Sequence, residues 1–156
     1  PFESKPQTVC TRTEVRTEIS ILASPKQVWS LLLNTTYYPK WHPYITAIEG
    51  EIELGKKIKV FTIDEQKKEG VFKAYILTLE PTKELAWGGS LGFIFSARHY
   101  YIIESVGHDT VRFVQGEYWK GWLGKWYGKK IYQNTFESFN LMNQSMKLVL
   151  ESSIKD

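Results

Sequence analysis

The chain has 156 residues, enough for one domain with a buried core; 24% of them are charged and 42% hydrophobic. A net charge of +3, from 20 basic and 17 acidic residues without a long basic run, does not indicate a nucleic-acid partner. The single Cys10 excludes an internal disulfide, no run reaches the ~18 apolar residues of a membrane span, and nothing resembles a signal peptide. We therefore expect a cytoplasmic protein without a transmembrane segment.

The first residues, 1–11, are polar, and we expect them to be loosely attached ahead of a single domain at 12–151, with 152–156 as a tail. Residues 12–22 alternate strictly between apolar and polar side chains, which predicts a half-buried strand. Ser24, Pro25 and Gln27 then form the pattern of a capping box, which predicts a helix to about Leu33. Pro39 and Pro43 leave room only for a single helical turn before Trp41, so two short helices follow the first strand.

Six further strands are predicted at 45–53, 57–64, 70–80, 84–89, 93–105 and 110–119. Short turn-like separators join them, which favours antiparallel neighbours because parallel pairs need long crossovers. The last segment, 126–151, has helical periodicity, with Thr135 and Asn143 as polar residues inside its apolar arc. The predicted fold is α+β: a seven-stranded curved antiparallel sheet gripping a long C-terminal helix, with a gap between them that would be a cavity.

Four segments of the chain resemble motifs of the helix-grip superfamily. They are ASPKQVW at 23–29, YPKWHP at 38–43, LAWGG at 85–89, and HYYIIE at 99–104 followed by QGEYW at 115–119. That superfamily includes the START lipid-transfer domains, the birch-pollen allergen class and bacterial polyketide cyclase/dehydrase-like proteins, and the polyketide branch is the one that this chain resembles. The chain departs from the pattern at Gln115, where relatives often have His. The resemblance implies the fold, while the activity stays open because these relatives differ in function.

The candidate site follows from strand alternation, which places His99 on the same inward face as its apolar neighbours in the strand. Gln115 and Glu117 lie on the equivalent face of the next strand, and Thr135 and Asn143 project from the helix. The predicted ligand-binding residues are Trp41, Trp87, Phe95, His99, Tyr101, Phe113, Gln115, Glu117, Trp119, Thr135, Phe139, Met142, Asn143 and Met146.

His99 and Glu117 are candidates for general acid/base chemistry, without any nucleophile elbow or Gly-rich phosphate loop to accompany them. The alternative is structural: His99 satisfied by Glu117 or a tyrosine hydroxyl, and Glu117 paired with Arg98 or a lysine. No metal and no cofactor are predicted, because the three histidines are scattered. We expect His42 in a proline-bounded loop and His108 in a hairpin turn, and neither is predicted to be functional.

Residues 121–130 combine aromatic side chains with lysines at the entry to the long helix. They form either a packed loop with solvated lysines or a portal that touches a partner or anionic head groups, with transient membrane-surface contact through Trp122 and Lys125.

Three functions stay open at this point. They are binding or transport of a small hydrophobic ligand (a lipid, polyketide-like aromatic or isoprenoid), a cyclase/dehydratase-type enzyme, and a partner-binding domain with a filled core. Nothing in the sequence predicts an oligomeric state.

Overall fold

A computed structural model describes residues 13–152 of the protein. The predicted loose segment 1–11 and all of the predicted tail except Ser152 lie outside the described residues. The elements in chain order are β1 (Thr13–Ile21), α1 (Pro25–Leu33), a 3-10 turn (Thr35–Tyr37), α2 (Tyr38–Trp41), β2 (Ile45–Glu49), β3 (Lys57–Ile63), β4 (Glu69–Glu80), β5 (Glu84–Leu91), β6 (Phe95–Gly107), β7 (Thr110–Lys120) and α3 (Gly121–Ser152).

The strands form one seven-stranded sheet in the order β1-β7-β6-β5-β4-β3-β2, with every neighbouring pair antiparallel. Strands β2 to β7 are therefore joined in sequence order by hairpins, and β1 lies beside β7. Helix α3 packs against β1, β6 and β7. The predicted fold class, a curved antiparallel sheet gripping a long C-terminal helix, is confirmed.

The start of α1 follows the predicted capping box. The backbone N–H of Gln27 donates to the Ser24 hydroxyl at 3.3 Å, and the backbone N–H of Ser24 donates to the Gln27 side-chain oxygen at 2.8 Å. Pro25 occupies the first turn, where its missing N–H costs nothing. Helix α1 buries Val28, Trp29, Leu31 and Leu32.

The long helix begins at Gly121, five residues before its predicted start. Gly121 has a positive φ of 77°, and a Cβ at this position would lie 2.3 Å from the Ile94 carbonyl oxygen, so the chain turns from β7 directly into α3 at a glycine. In its first two turns the buried positions are Gly124 and Gly128. Because glycines face the sheet and tryptophans face solvent, this stretch lacks the apolar stripe that identified the rest of the helix.

The packed core lies under the C-terminal half of α3. Met142, Met146 and Leu150 join residues of α1, α2 and the sheet in one large apolar cluster. Along the N-terminal half of α3, Ile131 and Thr135 are only partly buried, although they face the sheet. Space remains between helix and sheet at this end of the domain.

Candidate functional site

A cavity of about 490 Å³ lies between the inner face of the sheet and the N-terminal half of α3. Most of the predicted ligand-binding residues line it. They are Trp87, Phe95, His99, Gln115, Glu117, Trp119, Thr135, Phe139 and Met142. Strand alternation brings the residues of β5, β6 and β7 to this one face, because successive side chains along a strand point to opposite sides.

The remaining predicted residues, Trp41, Tyr101, Phe113, Asn143 and Met146, lie in the interior but do not line the cavity. Tyr101, Phe113 and Met146 are fully buried in the main apolar cluster. The Asn143 side-chain amide donates to the Thr17 hydroxyl at 2.9 Å, and that hydroxyl donates to the Gln115 carbonyl oxygen at 3.3 Å. Asn143 therefore connects α3 to β1 and β7.

His99 is held by aromatic rings and by Gln115. Its ring centroid lies 4.7 Å from that of Tyr101 and 4.9 Å from that of Phe139. Burial, with a smaller contribution from His42, lowers the pKa of His99 to about 3, so the imidazole is neutral at neutral pH. The Gln115 amide nitrogen lies 3.1 Å from His99 Nε2 and donates to it. The partner of His99 is therefore Gln115, in place of the predicted Glu117 or tyrosine hydroxyl.

Glu117 sits opposite His99 in the β6–β7 register. Glu117 is partly buried and lines the cavity, and its carboxyl has no hydrogen-bond or ion-pair partner among residues 13–152. Burial raises the pKa of the Glu117 carboxyl to about 7. The predicted pairing with Arg98 is wrong: alternation places Arg98 on the opposite face, where it donates to Thr78 and Glu84.

Two further polar atoms in the cavity wall have no partner within the part of the chain that the structure describes. One is the indole N–H of Trp87 and the other is the side-chain oxygen of Gln115. Both side chains are almost completely buried. A donor, an acceptor and the Glu117 carboxyl thus remain available in a wall that is otherwise mostly aromatic and aliphatic.

His42 belongs to this wall, although the sequence predicted a proline-bounded loop without a functional role. It caps α2, its Nδ1 accepts the backbone N–H of Tyr44 at 3.1 Å and of Ile45 at 2.9 Å, and its ring stacks on Tyr38. Burial lowers the pKa of His42 to about 3, so this imidazole is also neutral. His108, by contrast, lies in the exposed β6–β7 turn as predicted.

The predicted binding residues also omitted the far wall of the cavity, although β3 and β4 were predicted as strands. Their inward residues Thr62, Phe72 and Ala74 close the cavity opposite β7, together with Tyr44 and Ile45. Alternation of side chains along these strands could have identified the inward residues, because it places Thr62 on the same face as Val60 and Ile58. The sequence did not indicate the curvature of the sheet that brings β3 and β4 around the cavity.

A second hollow of about 530 Å³ adjoins the cavity and shares Tyr44, Thr62, Asn134 and Ser138 with it. Its other lining residues come from the β3–β4 turn and α3, and include Asp64, Glu65, Glu69 and Glu137. The four shared residues therefore border both the apolar cavity and this polar hollow.

Residues 13–152 contain no group of three or more His, Cys, Asp or Glu side chains that could hold a metal ion. No helix among them is long and apolar enough to cross a bilayer.

A curved antiparallel sheet around a long C-terminal helix, with short helices after the first strand and a cavity between, defines the helix-grip class of the START superfamily. The family model described as "polyketide cyclase / dehydrase and lipid transport" matches residues 12–140, and the chain belongs to that family.

Solved structures at low identity share the fold. The Zhui aromatase/cyclase from Streptomyces sp. R1128 has a TM-score of 0.71 and 12% identity, covering 92% of this chain and 96% of its own. A START superfamily protein from Mycobacterium smegmatis has a TM-score of 0.65 and 17% identity, covering 89% and 97%. Protein NE0264 from Nitrosomonas europaea has a TM-score of 0.71 and 12% identity, covering 92% and 97%. No curated protein matches the sequence significantly.

Proposed function

We propose that the chain binds a small, largely apolar molecule in the cavity between the sheet and α3. The observation that carries this proposal is the cavity itself: about 490 Å³ of space walled mainly by aromatic and aliphatic side chains. Its volume falls within the range of about 300–1,000 Å³ that is usual for small-molecule sites. The family description, which includes lipid transport, supports the same conclusion.

The chemistry of the wall suggests what such a molecule carries. Apolar burial would supply most of the affinity, at about 25 cal/mol per Å² before the costs of association. The unpaired indole N–H of Trp87 suits a carbonyl or hydroxyl oxygen, and the Gln115 side-chain oxygen suits a hydroxyl or amine donor. A lipid, an isoprenoid or a polyketide-like aromatic with one polar end would meet these requirements. The open cavity argues against the alternative of a partner-binding domain with a filled core.

Gly89 offers a direct test, because it lines the cavity and a Cβ built on it meets nothing within 4 Å. We expect Gly89→Leu to fill part of the cavity and to weaken uptake of the neutral apolar dye N-phenylnaphthylamine by about 10-fold or more, since lost apolar contacts cost affinity. Gly107→Leu is the matched control, because Gly107 is exposed at the end of β6 with equally open space around it. Equal dye uptake by both variants and the wild type would place the binding outside this cavity.

Native mass spectrometry of freshly purified protein complements the dye titration. We expect the wild type to retain a small molecule and Gly89→Leu to retain less of it. Mass spectra of the wild type without added mass, together with a failure to take up dye, would count against the proposal.

Acid/base catalysis on the bound molecule is a second candidate, favoured by the environment of Glu117. A carboxyl with a pKa of about 7 can both give and take a proton near neutral pH. His99, with its pKa of about 3, cannot donate a proton as an imidazolium near neutral pH, so Glu117 would carry the proton transfer alone. If the protein converts its retained molecule, Glu117→Gln should slow the conversion by about 100-fold or more, while the exposed-site control Glu80→Gln should not.

A further inference from the structure

The β5–β6 turn and the first turns of α3 expose a continuous set of large apolar side chains. Phe93 at the tip of the turn is 88% exposed, and Trp122 and Trp126 on α3 are 68% and 59% exposed. Turn residues are ordinarily polar, so an apolar tip requires another explanation. We call the following set the aromatic–lysine surface: Leu91, Phe93, Ile94, Lys120, Trp122, Lys125, Trp126, Lys129 and Lys130.

Backbone contacts hold the two halves of this surface together. The Leu123 N–H donates to the Ile94 carbonyl oxygen at 3.2 Å, and Gly121 packs so closely on that carbonyl that a side chain would not fit. The rings of Phe95 and Tyr127, the residues that follow Ile94 and Trp126 in the chain, meet edge to face with their centroids 6.1 Å apart. These contacts fix the β5–β6 turn against the start of α3.

The charge of the surface has one sign. Four lysines lie between 120 and 130, and the sequence holds no acidic residue between Glu117, which faces the cavity, and Glu137. The turn segment 90–96 carries no charge at all. The Lys130 ammonium lies 5.4 Å from the centre of the Trp126 ring, so cations and aromatic rings are interleaved. The neighbouring β3–β4 turn, 64–69, is close to balance with three carboxylates and two lysines.

We propose that the aromatic–lysine surface docks on an anionic phospholipid bilayer. The apolar tip at Phe93 and the two tryptophans would enter the headgroup region, where aromatic side chains are favoured, while the lysines contact lipid phosphates. A second copy of the chain fits less well, because a two-fold interface through this surface would set lysines against lysines. Phe95 and Tyr127 line the cavity, so the docked surface adjoins it. The proposal does not require the cavity to be occupied.

Vesicle flotation tests this docking. We expect the wild type to float with vesicles of phosphatidylcholine mixed with phosphatidylglycerol, to bind weakly to phosphatidylcholine alone, and to lose binding as salt rises. Each lysine near an anionic surface contributes about five-fold in affinity, so Lys129→Glu with Lys130→Glu should weaken binding by at least about 20-fold. Phe93→Ser should weaken it through loss of the apolar tip.

Two matched controls isolate the surface from net charge and general hydrophobicity. Lys26→Glu with Lys40→Glu changes the net charge equally at exposed sites elsewhere, and Leu148→Ser removes a 72% exposed side chain near the other end of α3. We expect both controls to bind vesicles as the wild type does. Wild-type binding by the surface variants, or equal binding to both vesicle types, overturns the proposal.

Two further measurements separate this proposal from its alternatives. If light scattering shows a wild-type dimer that Phe93→Ser dissociates, the surface is an interface between copies and the proposal fails. Uptake of N-phenylnaphthylamine in solution should be unchanged in Lys129→Glu with Lys130→Glu. A vesicle result therefore stands or falls independently of the cavity.

Discussion

The charged form of a carboxyl is unfavourable inside an apolar cavity, and this effect destabilises the charged form of Glu117 near neutral pH. Because burial raises its pKa to about 7, the folded protein holds a proton on this group over a pH range in which the unfolded chain has released it. A cation or a donor that enters the cavity would favour the charged state and lower this pKa. Glu117 is thus the residue whose protonation should respond most directly to a bound molecule.

The first prediction concerns stability and Glu117. As pH rises from about 4.5 to about 7, the unfolded state loses its proton first, so this group lowers the free energy of unfolding by up to roughly 3 kcal/mol. Glu117→Gln removes the effect, and we expect it to be more stable than the wild type at about pH 8 and to lose that advantage at about pH 4. Urea denaturation at both pH values measures the difference. A constant difference across the range would show that the carboxyl is not buried in its charged form.

A second prediction has the opposite sign and concerns His99. Its pKa of about 3 lies below the ordinary value, so the unfolded state takes up a proton as pH falls below about 6.5 and the folded state does not. Stability should fall by about 1.4 kcal/mol per pH unit from this group between about pH 6 and pH 3. We expect the variant His99→Gln to lose less stability on acidification than the wild type, measured by urea denaturation. His108→Gln, at an almost fully exposed side chain, should follow the wild-type curve.

At the same scale, the inward positions of His99, Gln115 and Glu117 could be predicted because alternation along a strand is local. The partner of His99 could not, because it depends on side-chain angles in a packed interior. His42 was missed for a related reason. Its position depends on stacking against Tyr38 and on two backbone N–H groups beyond Pro43, which only the folded turn brings to one nitrogen.

At the scale of elements, helix α3 approaches the sheet most closely through its glycines. A Cβ on Gly128 would lie 2.5 Å from the Trp119 ring, which is fully buried. A Cβ on Gly124 would meet its neighbours no closer than 3.5 Å. The sequence-based start of α3 at 126 was wrong because these glycines, rather than large apolar residues, form the buried side of its first turns.

The third prediction uses this contrast. We expect Gly128→Ala to lower the free energy of unfolding by about 1–3 kcal/mol through overpacking against Trp119, despite the better helix propensity of alanine. Gly124→Ala, the matched control, should be neutral or more stable by up to about 1 kcal/mol. Chemical denaturation compares the two variants. Equal stabilities would mean that the helix shifts freely on the sheet.

A fourth prediction concerns the connection from Asn143 through Thr17 to the Gln115 carbonyl. Asn143→Ala breaks the contact of α3 with β1 and leaves buried polar groups unpaired, so we expect a loss of about 2 kcal/mol in stability. Dye affinity should change by less than about three-fold, because Asn143 does not line the cavity. Asn140→Ala is the control, since its amide donates within α3 itself, to the Phe136 carbonyl oxygen at 3.1 Å. A large loss of dye affinity in Asn143→Ala would instead assign Asn143 to the binding site.

At the scale of the whole molecule, the interior of the domain consists of a packed core and a cavity. The C-terminal half of α3 packs with α1 and the sheet, whereas the N-terminal half borders the cavity. The sequence predicted one apolar arc along 126–151, and periodicity reports the direction of side chains without showing whether an opposing surface reaches them. The gross fold was accessible from the sequence, and the boundary between core and cavity was not.

The fifth prediction follows from that division. A molecule that binds in the cavity of the folded protein and does not bind the unfolded chain should stabilise the folded state. The stabilisation is about 2.7 kcal/mol at a ligand concentration of 100 times the dissociation constant. For a domain of this size we expect N-phenylnaphthylamine to raise the Tm of the wild type by about 5–10 °C, measured by calorimetry. Gly89→Leu should show a smaller rise. An unchanged Tm in the wild type at saturating dye would indicate binding to the surface or to unfolded chain.

Tyr44, Thr62, Asn134 and Ser138 border both the cavity and the wide polar hollow beside it. A molecule that entered the cavity from this hollow would pass these four side chains before it met the apolar wall. If different ligands associate by this route at similar rates, their affinities would differ mainly in how long each ligand stays bound.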